Sequence, residues 1–203
     1  MNPVLQMIIQ RRSCRKFTGE PLRREQLAQI LEAGRWAPTG GNCQTVHFLV
    51  IQDHKTRSEL RTRVQSAFAR MEWREDLYSS LKNSIRQSRM GLYDYDYHAP
   101  VLVIAANRRG YPNAMADCAC ALQNMMLAAT SLGLGSCWIN QLHWLDDNPQ
   151  IHSYLESLGL GAEETVCGAV ALGHWDGPIP QPLQRTGMPV TWVSDPHGTD
   201  IAP

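Results

Sequence analysis

The sequence lacks an excess of charge of either sign. Its 203 residues include nineteen Lys and Arg against nineteen Asp and Glu, so the formal net charge is zero. A broad nucleic-acid-binding surface needs a basic face, and one basic cluster in a neutral chain offers too few phosphate contacts. We therefore predict no nucleic-acid partner.

Paired cysteines are missing as well. Six cysteines occur, but none forms a Cys-x-x-Cys pair, and the seven histidines show no metal-ligand spacing. We predict no metal site and interpret the cysteines as buried, reduced thiols of a cytoplasmic protein.

Long apolar runs are also absent. The segment from Cys118 to Leu145 contains no Asp, Glu, Lys or Arg, but polar residues and the break at 133–135 interrupt it. The break arrives before the ~20 apolar residues that a membrane span needs. The N-terminal MNPVLQMIIQRR places its charges after a short apolar run, the reverse of a secretory signal. We expect no membrane partner.

What is present is an alternation of helices and strands. Helical spacing or capping predicts helices from Asn2-Pro3, over about 22–35, across much of 55–93, over 115–132 and after Asn148-Pro149. Apolar and β-branched runs predict buried strands at 47–52, 100–106, 135–140 and 165–173. The alternation predicts one domain of α/β or α+β class over 1–203.

The C-terminal segment 176–203 differs in composition from the rest of the chain. It holds six of the twelve prolines and cannot be a compact helix-strand unit. Such an arm is either disordered or extended across another surface. Val190, Trp192 and Val193 favour the second alternative, because they offer apolar groups to bury.

The stretch RRSCRKF, residues 11–17, concentrates positive charge in a neutral chain. Arg11, Arg12, Arg15 and Lys16 fall within six positions. Cations at the C-terminal end of the preceding helix complement its dipole, which explains one or two of them. Four close cations indicate in addition a bound anion.

Four segments together resemble the FMN-dependent nitroreductase family. RRSCRKF resembles its R-x-S-x-R-x-F opening, and APTGGNCQ (37–44) its A-P-S-x-x-N-x-Q loop. ALQNMMLAATSLGLGSCWI (121–139) resembles its central helix and following strand, and ALGHW (171–175) with Arg185 its closing strand and C-terminal arginine. No single segment is decisive, but their order and spacing are specific.

The resemblance implies an α+β, three-layer sandwich with a mostly antiparallel central sheet flanked by helices. It also implies an intertwined homodimer with FMN at the dimer interface, in two sites built from both chains. The apolar central helix would then be interface, and the arm 176–203 would wrap the partner.

The family pattern also implies roles for individual residues. Arg11, Ser13 and Arg185 would bind the FMN phosphate, with Arg12 secondary, and Arg15 would reach the N1 and O2 side of the ring. Arginine suits phosphate because it can bind it bidentately. Lys16 matches no family position and is interpreted as surface.

A second set of residues would approach the flavin from the partner chain or from the strand at 135–140. The partner chain is predicted to contribute Pro38, Thr39, Asn42 and Gln44. The backbone N–H groups of Ile139 and Asn140 are predicted to lie near flavin N5. Taken alone, APTGGN is more typical of an ordinary turn after a helix than of a flavin site. Thr39 stands where the family usually has Ser, and Thr45-Val46 where it often has Pro-Trp.

Two features leave alternatives open. YDYDYH (93–98) is either a half-exposed extended segment with inward tyrosines or part of a substrate lid. The lid would use Met90, Tyr93, Tyr95 and Tyr97. Cys14, among arginines, is either a reactive thiol of lowered pKa or a packed residue.

The function implied by the resemblance is an FMN-dependent oxidoreductase. It would take hydride from NAD(P)H and pass it, with ping-pong kinetics, to a nitroaromatic, quinone or similar small-molecule acceptor. Its chemistry would reside in flavin N5, so no catalytic side chain is predicted. The alternatives are a non-catalytic flavin-binding or regulatory protein, or another flavin reaction of the same fold, such as dehalogenation or flavin fragmentation.

Overall fold

A computed structural model of the chain describes residues 1–193. The helices of this part are α1 (Pro3–Gln10), α2 (Arg24–Arg35), α3 (His54–Arg70), α4 (Ser79–Arg89), α5 (Ala114–Ser131), α6 (Gln141–Trp144) and α7 (Pro149–Ser157). The strands are β1 (His47–Ile51), β2 (Val101–Arg108), β3 (Gly135–Ile139) and β4 (Glu164–Gly173). Each predicted strand is present, within two residues of the predicted bounds.

The predicted helical region 55–93 is divided in two. The chain leaves the helix at Met71, whose backbone is extended with φ −64° and ψ 138°, and becomes helical again at Ser79. The helix α6 was not predicted from the sequence, because its four residues are too few to show a periodicity.

The four strands form one antiparallel sheet in the order β1-β2-β4-β3. A bulge separates two registers of β2 on β4, since Ala105 lies opposite Gly168 while Ala106 lies opposite Val166. The central strand β2 is buried on both faces, which explains its continuous apolar run. The sheet confirms the predicted α+β class.

Helices cover both faces of the sheet and give the three-layer arrangement. Leu102 and Ile104 face one layer, built from α3, α4, α6 and α7, whereas Val101 and Val103 face the other, built from α2 and α5. The α2–α5 contact depends on Gly34, where a Cβ would lie 3.0 Å from Met125 Cγ. Each large apolar side chain buried in these layers contributes roughly 1.5–3 kcal/mol to stability.

Helix α1 and the C-terminal arm leave apolar groups exposed. Helix α1 begins with the predicted Asn2 cap, whose Oδ1 accepts a 2.8 Å hydrogen bond from the Val4 N–H, yet the helix has no buried residue. Residues 176–193 of the predicted arm form no helix or strand and are exposed; 194–203 lie outside the described residues. No helix within 1–193 has the length and apolar character to cross a bilayer.

Candidate functional site

The RRSCRKF segment lies along the end of the sheet, beside β3 and the C-terminal end of β4. Ser13 forms a parallel bridge with Ser136, and the Cys14 N–H donates to the Ser136 carbonyl at 2.8 Å. Further on, Phe17 forms an antiparallel bridge with Trp175. This pairing fixes the backbone of the segment and therefore the position from which each of its side chains extends.

Three arginines of the predicted phosphate site come together. Burial lowers the pKa of Arg11, and the nearby charges of Arg185 and Arg12 lower it further. Within residues 1–193 none of the three has an acidic partner, and the Arg12 Nε atom is buried without a hydrogen-bond partner. A cluster of cations around Arg11 without acidic partners is suited to an anion.

Arg15 lies beside Tyr97. Burial acts to lower the pKa of Arg15, but the hydrogen bond with Tyr97 and the neighbouring Cys137 leave it above its ordinary value. Burial raises the pKa of Tyr97, so the phenol stays neutral. Arg15 therefore carries a charge beside a neutral donor and acceptor.

Arg15 and Tyr97 contribute to a cavity of 610 Å³. The other residues that line it come from α4, the loop before β2 and the start of α6: Ser79, Ser80, Asn83, Ser84, Gln87, Leu92, Tyr93, Asp94 and Gln141.

A chain of hydrogen bonds joins residues that line this cavity. Tyr93 Oη lies 2.6 Å from Ser84 Oγ and accepts a 2.8 Å hydrogen bond from Gln141 Nε2. Gln141 Oε1 in turn accepts from the Asn140 N–H at 3.0 Å. The Asn140 N–H, one of the two groups predicted to lie near flavin N5, therefore donates to Gln141. The sequence analysis did not single out Gln141.

The four residues predicted as a lid have different environments. Tyr93 and Tyr97 line the cavity, whereas Met90 is 59% exposed and does not. Tyr95 is only 1% exposed and packs in the core, so its placement in a pocket was wrong. The segment is not a strand, and left-handed backbone at Tyr97 and His98, with φ of 55° and 52°, breaks the alternation that the prediction assumed.

The APTGGNCQ loop lies elsewhere, against the first turn of α5. The Gly40 N–H donates to Asp117 Oδ1 at 3.1 Å, and Tyr111 Oη donates to the Gly40 carbonyl at 3.2 Å. Asn42 and Gln44 both have left-handed backbone, with φ of 53° and 52°. They line, together with Pro38, a surface cavity of 450 Å³.

The predicted site residues therefore fall into two groups. One group, Arg11 to Arg15 with Arg185, Ile139 and Asn140, lies near β3, which follows the C-terminal end of α5. The other, Pro38, Thr39, Asn42 and Gln44, lies near Asp117 at its N-terminal end. The 18 residues of α5 separate these ends by about 27 Å. One chain does not bring the two groups together.

Cys14 has a structural environment. Its side chain is fully buried, and Sγ donates to the Lys16 carbonyl at 3.0 Å. Burial raises the pKa of the thiol to about 11, which outweighs any effect of the adjacent arginines. The hypothesis of a reactive thiol is therefore wrong.

The sequence and the structure match known proteins over most of the chain. The model of the nitroreductase family matches residues 8–174. The chain belongs to the nitroreductase family. This confirms the resemblance drawn from RRSCRKF and the three other segments.

Individual family members agree with this membership. A nitroreductase of Bacteroides fragilis, solved with bound FMN, is 38% identical and superposes with a TM-score of 0.86, covering 96% of this chain and 100% of its own. The NADPH-flavin oxidoreductase of Vibrio harveyi is 30% identical over 87% of this chain and 67% of its own length. The FMN reductase [NAD(P)H] of Bacillus subtilis is 28% identical over 86% and 66%.

Proposed function

We propose that this nitroreductase-family protein takes hydride from NAD(P)H and passes it, with FMN as cofactor, to a nitroaromatic, quinone or similar conjugated acceptor. The flavin oxidoreductases among its relatives and the FMN in the similar B. fragilis structure support the class NAD(P)H-dependent flavin oxidoreductase. The observation that carries the proposal is the cluster of Arg11, Arg12 and Arg185, three cations without an acidic partner in the described chain, of which Arg12 lines a cavity of 290 Å³.

The residues present fit FMN. Arg11, Ser13 and Arg185 would hold its phosphate, and the buried Arg12 Nε offers a further donor. Arg15 would lie at the pyrimidine edge, where a cation favours negative charge on the ring. When bound, FMN supplies the hydride chemistry, and these residues position it and set its potential.

We further propose that the functional unit is a homodimer. Val4 and Leu5 of α1 are 64% and 54% exposed, and Trp192 of the arm is 75% exposed, which is unusual for the surface of a monomer. A second copy of the chain would cover these groups. It would also supply Pro38, Thr39, Asn42 and Gln44 to the FMN held by the first.

Steady-state kinetics test the proposal. We expect NADH or NADPH to reduce a quinone or nitroaromatic, with parallel double-reciprocal plots, because donor and acceptor would share one face of the flavin in turn. A protein that retains FMN but turns over no donor and acceptor pair would instead be a non-catalytic flavin-binding protein. Turnover only with halogenated substrates, or consumption of FMN itself, would indicate another reaction of the fold.

A further inference from the structure

Helix α4 presents a polar face to the cavity. Ser79, Asn83 and Gln87 are four residues apart and lie on one side of the helix, next to Ser80. The opposite side carries Ile85, which is fully buried in the core. Ser79, Ser80 and Asn83 are exposed and Gln87 is half-buried, and Ser and Asn are poorer helix formers than Ala or Leu.

Much of the hydrogen-bonding capacity of this face is unused. Within residues 1–193, the side chains of Ser79, Ser80 and Gln87 form no hydrogen bond with the protein. The Asn83 oxygen accepts from Arg86 Nη2 at 3.1 Å, which leaves the Asn83 amide donors free. These groups line the cavity, so they are available to a ligand.

The two charged groups of the cavity are Arg15 and Asp94. The proposed function assigns Arg15 to the pyrimidine edge of FMN. Asp94 lies 3.4 Å from His98 Nε2 and 3.9 Å from Arg61 Nε. The groups that α4 leaves for a ligand are neutral donors and acceptors.

The lining is unusual for a small-molecule site. Such sites are mostly apolar, with a few polar groups that fix orientation. Here Leu92 is the one lining residue without a polar side-chain group. An apolar acceptor would displace water from the hydroxyl and amide groups without replacing its hydrogen bonds, and would bind weakly as a result.

We propose that this protein selects conjugated acceptors bearing uncharged hydrogen-bonding substituents, such as hydroxyl or carboxamide groups, and that Ser79, Ser80, Asn83 and Gln87 of α4 make the selection. The inference rests on the proposed function, since it assigns the cavity to the acceptor. Sites built to hydrogen-bond a substrate reject analogues that lack the group more strongly than apolar pockets reject an added one.

The test compares 4-nitrobenzamide with 4-nitrotoluene, two acceptors of similar size that differ in one polar group. Equilibrium binding to the oxidised, FMN-loaded protein is followed by the change in flavin absorbance, and kcat/KM is measured alongside at saturating NAD(P)H. We expect tighter binding and a higher kcat/KM for the amide. Gln87→Leu should reduce the preference about five- to tenfold, the size of one lost hydrogen bond. Comparing ratios between variants cancels the difference in potential of the two acceptors.

Gln65→Leu is the matched control, because Gln65 is half-buried like Gln87 but lies on α3 and does not line the cavity. Asn83→Ala and Ser80→Ala give the same test in variants that favour the helix. A wild-type protein that binds both compounds equally, or a ratio unchanged in all three cavity variants, would overturn the inference while leaving FMN binding and turnover intact. Loss of FMN from the wild-type protein would instead contradict the proposed function.

Discussion

Arg185→Ala offers a test of the phosphate site in which two effects have different signs. Arg185 is exposed on the C-terminal arm, and its charge lowers the pKa of the half-buried Arg11. In the FMN-free protein the two cations therefore repel each other, and removal of Arg185 should leave stability unchanged or slightly higher. An exposed charge pair is worth at most about 1 kcal/mol, so the gain is small.

With FMN bound, the same change should be costly. A hydrogen bond to a charged group contributes about 1.5–3 kcal/mol. Loss of one such contact with the phosphate corresponds to about 10- to 150-fold weaker binding. Arg185→Lys keeps the charge but not the bidentate geometry, so its affinity should lie between those of the wild type and Arg185→Ala.

The assay needs both quantities. FMN affinity is measured by titrating the flavin-free protein and following flavin fluorescence, and stability by urea unfolding without FMN. Arg24→Ala is a suitable control, because Arg24 is an exposed arginine at the start of α2. Unchanged FMN affinity in both Arg185→Ala and Arg11→Ala would refute the phosphate assignment. An equal loss of stability and affinity would indicate a general folding defect.

Three further changes probe the fold around the site. A Cβ at Gly135 would lie 2.7 Å from Cys14 Sγ, so Gly135→Ala should displace RRSCRKF. It should lower the unfolding free energy by about 1–3 kcal/mol and weaken FMN binding. Gly19→Ala, with open space around it, should change neither stability nor FMN binding. Cys14 should resist iodoacetamide at pH 8 in the folded protein and react once the chain is unfolded in urea, and comparable labelling in both states would show that Cys14 is accessible. Burial raises the pKa of Asp96 to about 6, whereas the pKa of Asp in an unfolded chain is about 3.9. The folded state therefore binds this proton more tightly than the unfolded state. Stability should fall as pH rises from about 4 to 6, by about 3 kcal/mol at most. In urea titrations Asp96→Asn should lack this contribution, and a stability difference from wild type that stays constant from pH 4 to 7 would contradict the raised pKa.

The sequence predicted the sheet well because its strands are continuous apolar runs. The run at β2 reflects burial on both faces. The segment 93–98 shows the opposite case. Its alternation of aromatic and acidic residues is a strand pattern, but left-handed backbone at Tyr97 and an ion pair between Asp96 and Arg61, at 2.6 Å, hold it as a loop. The ion pair joins residues 35 positions apart, and local pattern cannot reveal it.

The candidate site was predictable in part for a similar reason. The accumulation of positive charge in RRSCRKF is a local pattern, so the sequence alone identifies this segment as a candidate anion site. The role of α4 depends on what faces Ser79, Asn83 and Gln87 across a cavity. The four-residue spacing of these side chains is visible in the sequence, but the cavity is not. Gln141 carried no signal of its own, because its importance comes from contacts with Tyr93 and the Asn140 N–H.

The central proposal, an FMN oxidoreductase whose site is shared between two chains, is tested most directly by one measurement on the purified protein. Native mass spectrometry, combined with the visible absorbance spectrum, reports both the bound flavin and the number of chains. We expect a yellow dimer that carries up to one FMN per chain. A colourless protein that takes up no added FMN would contradict the cofactor, and a monomer that retains FMN would contradict the shared site.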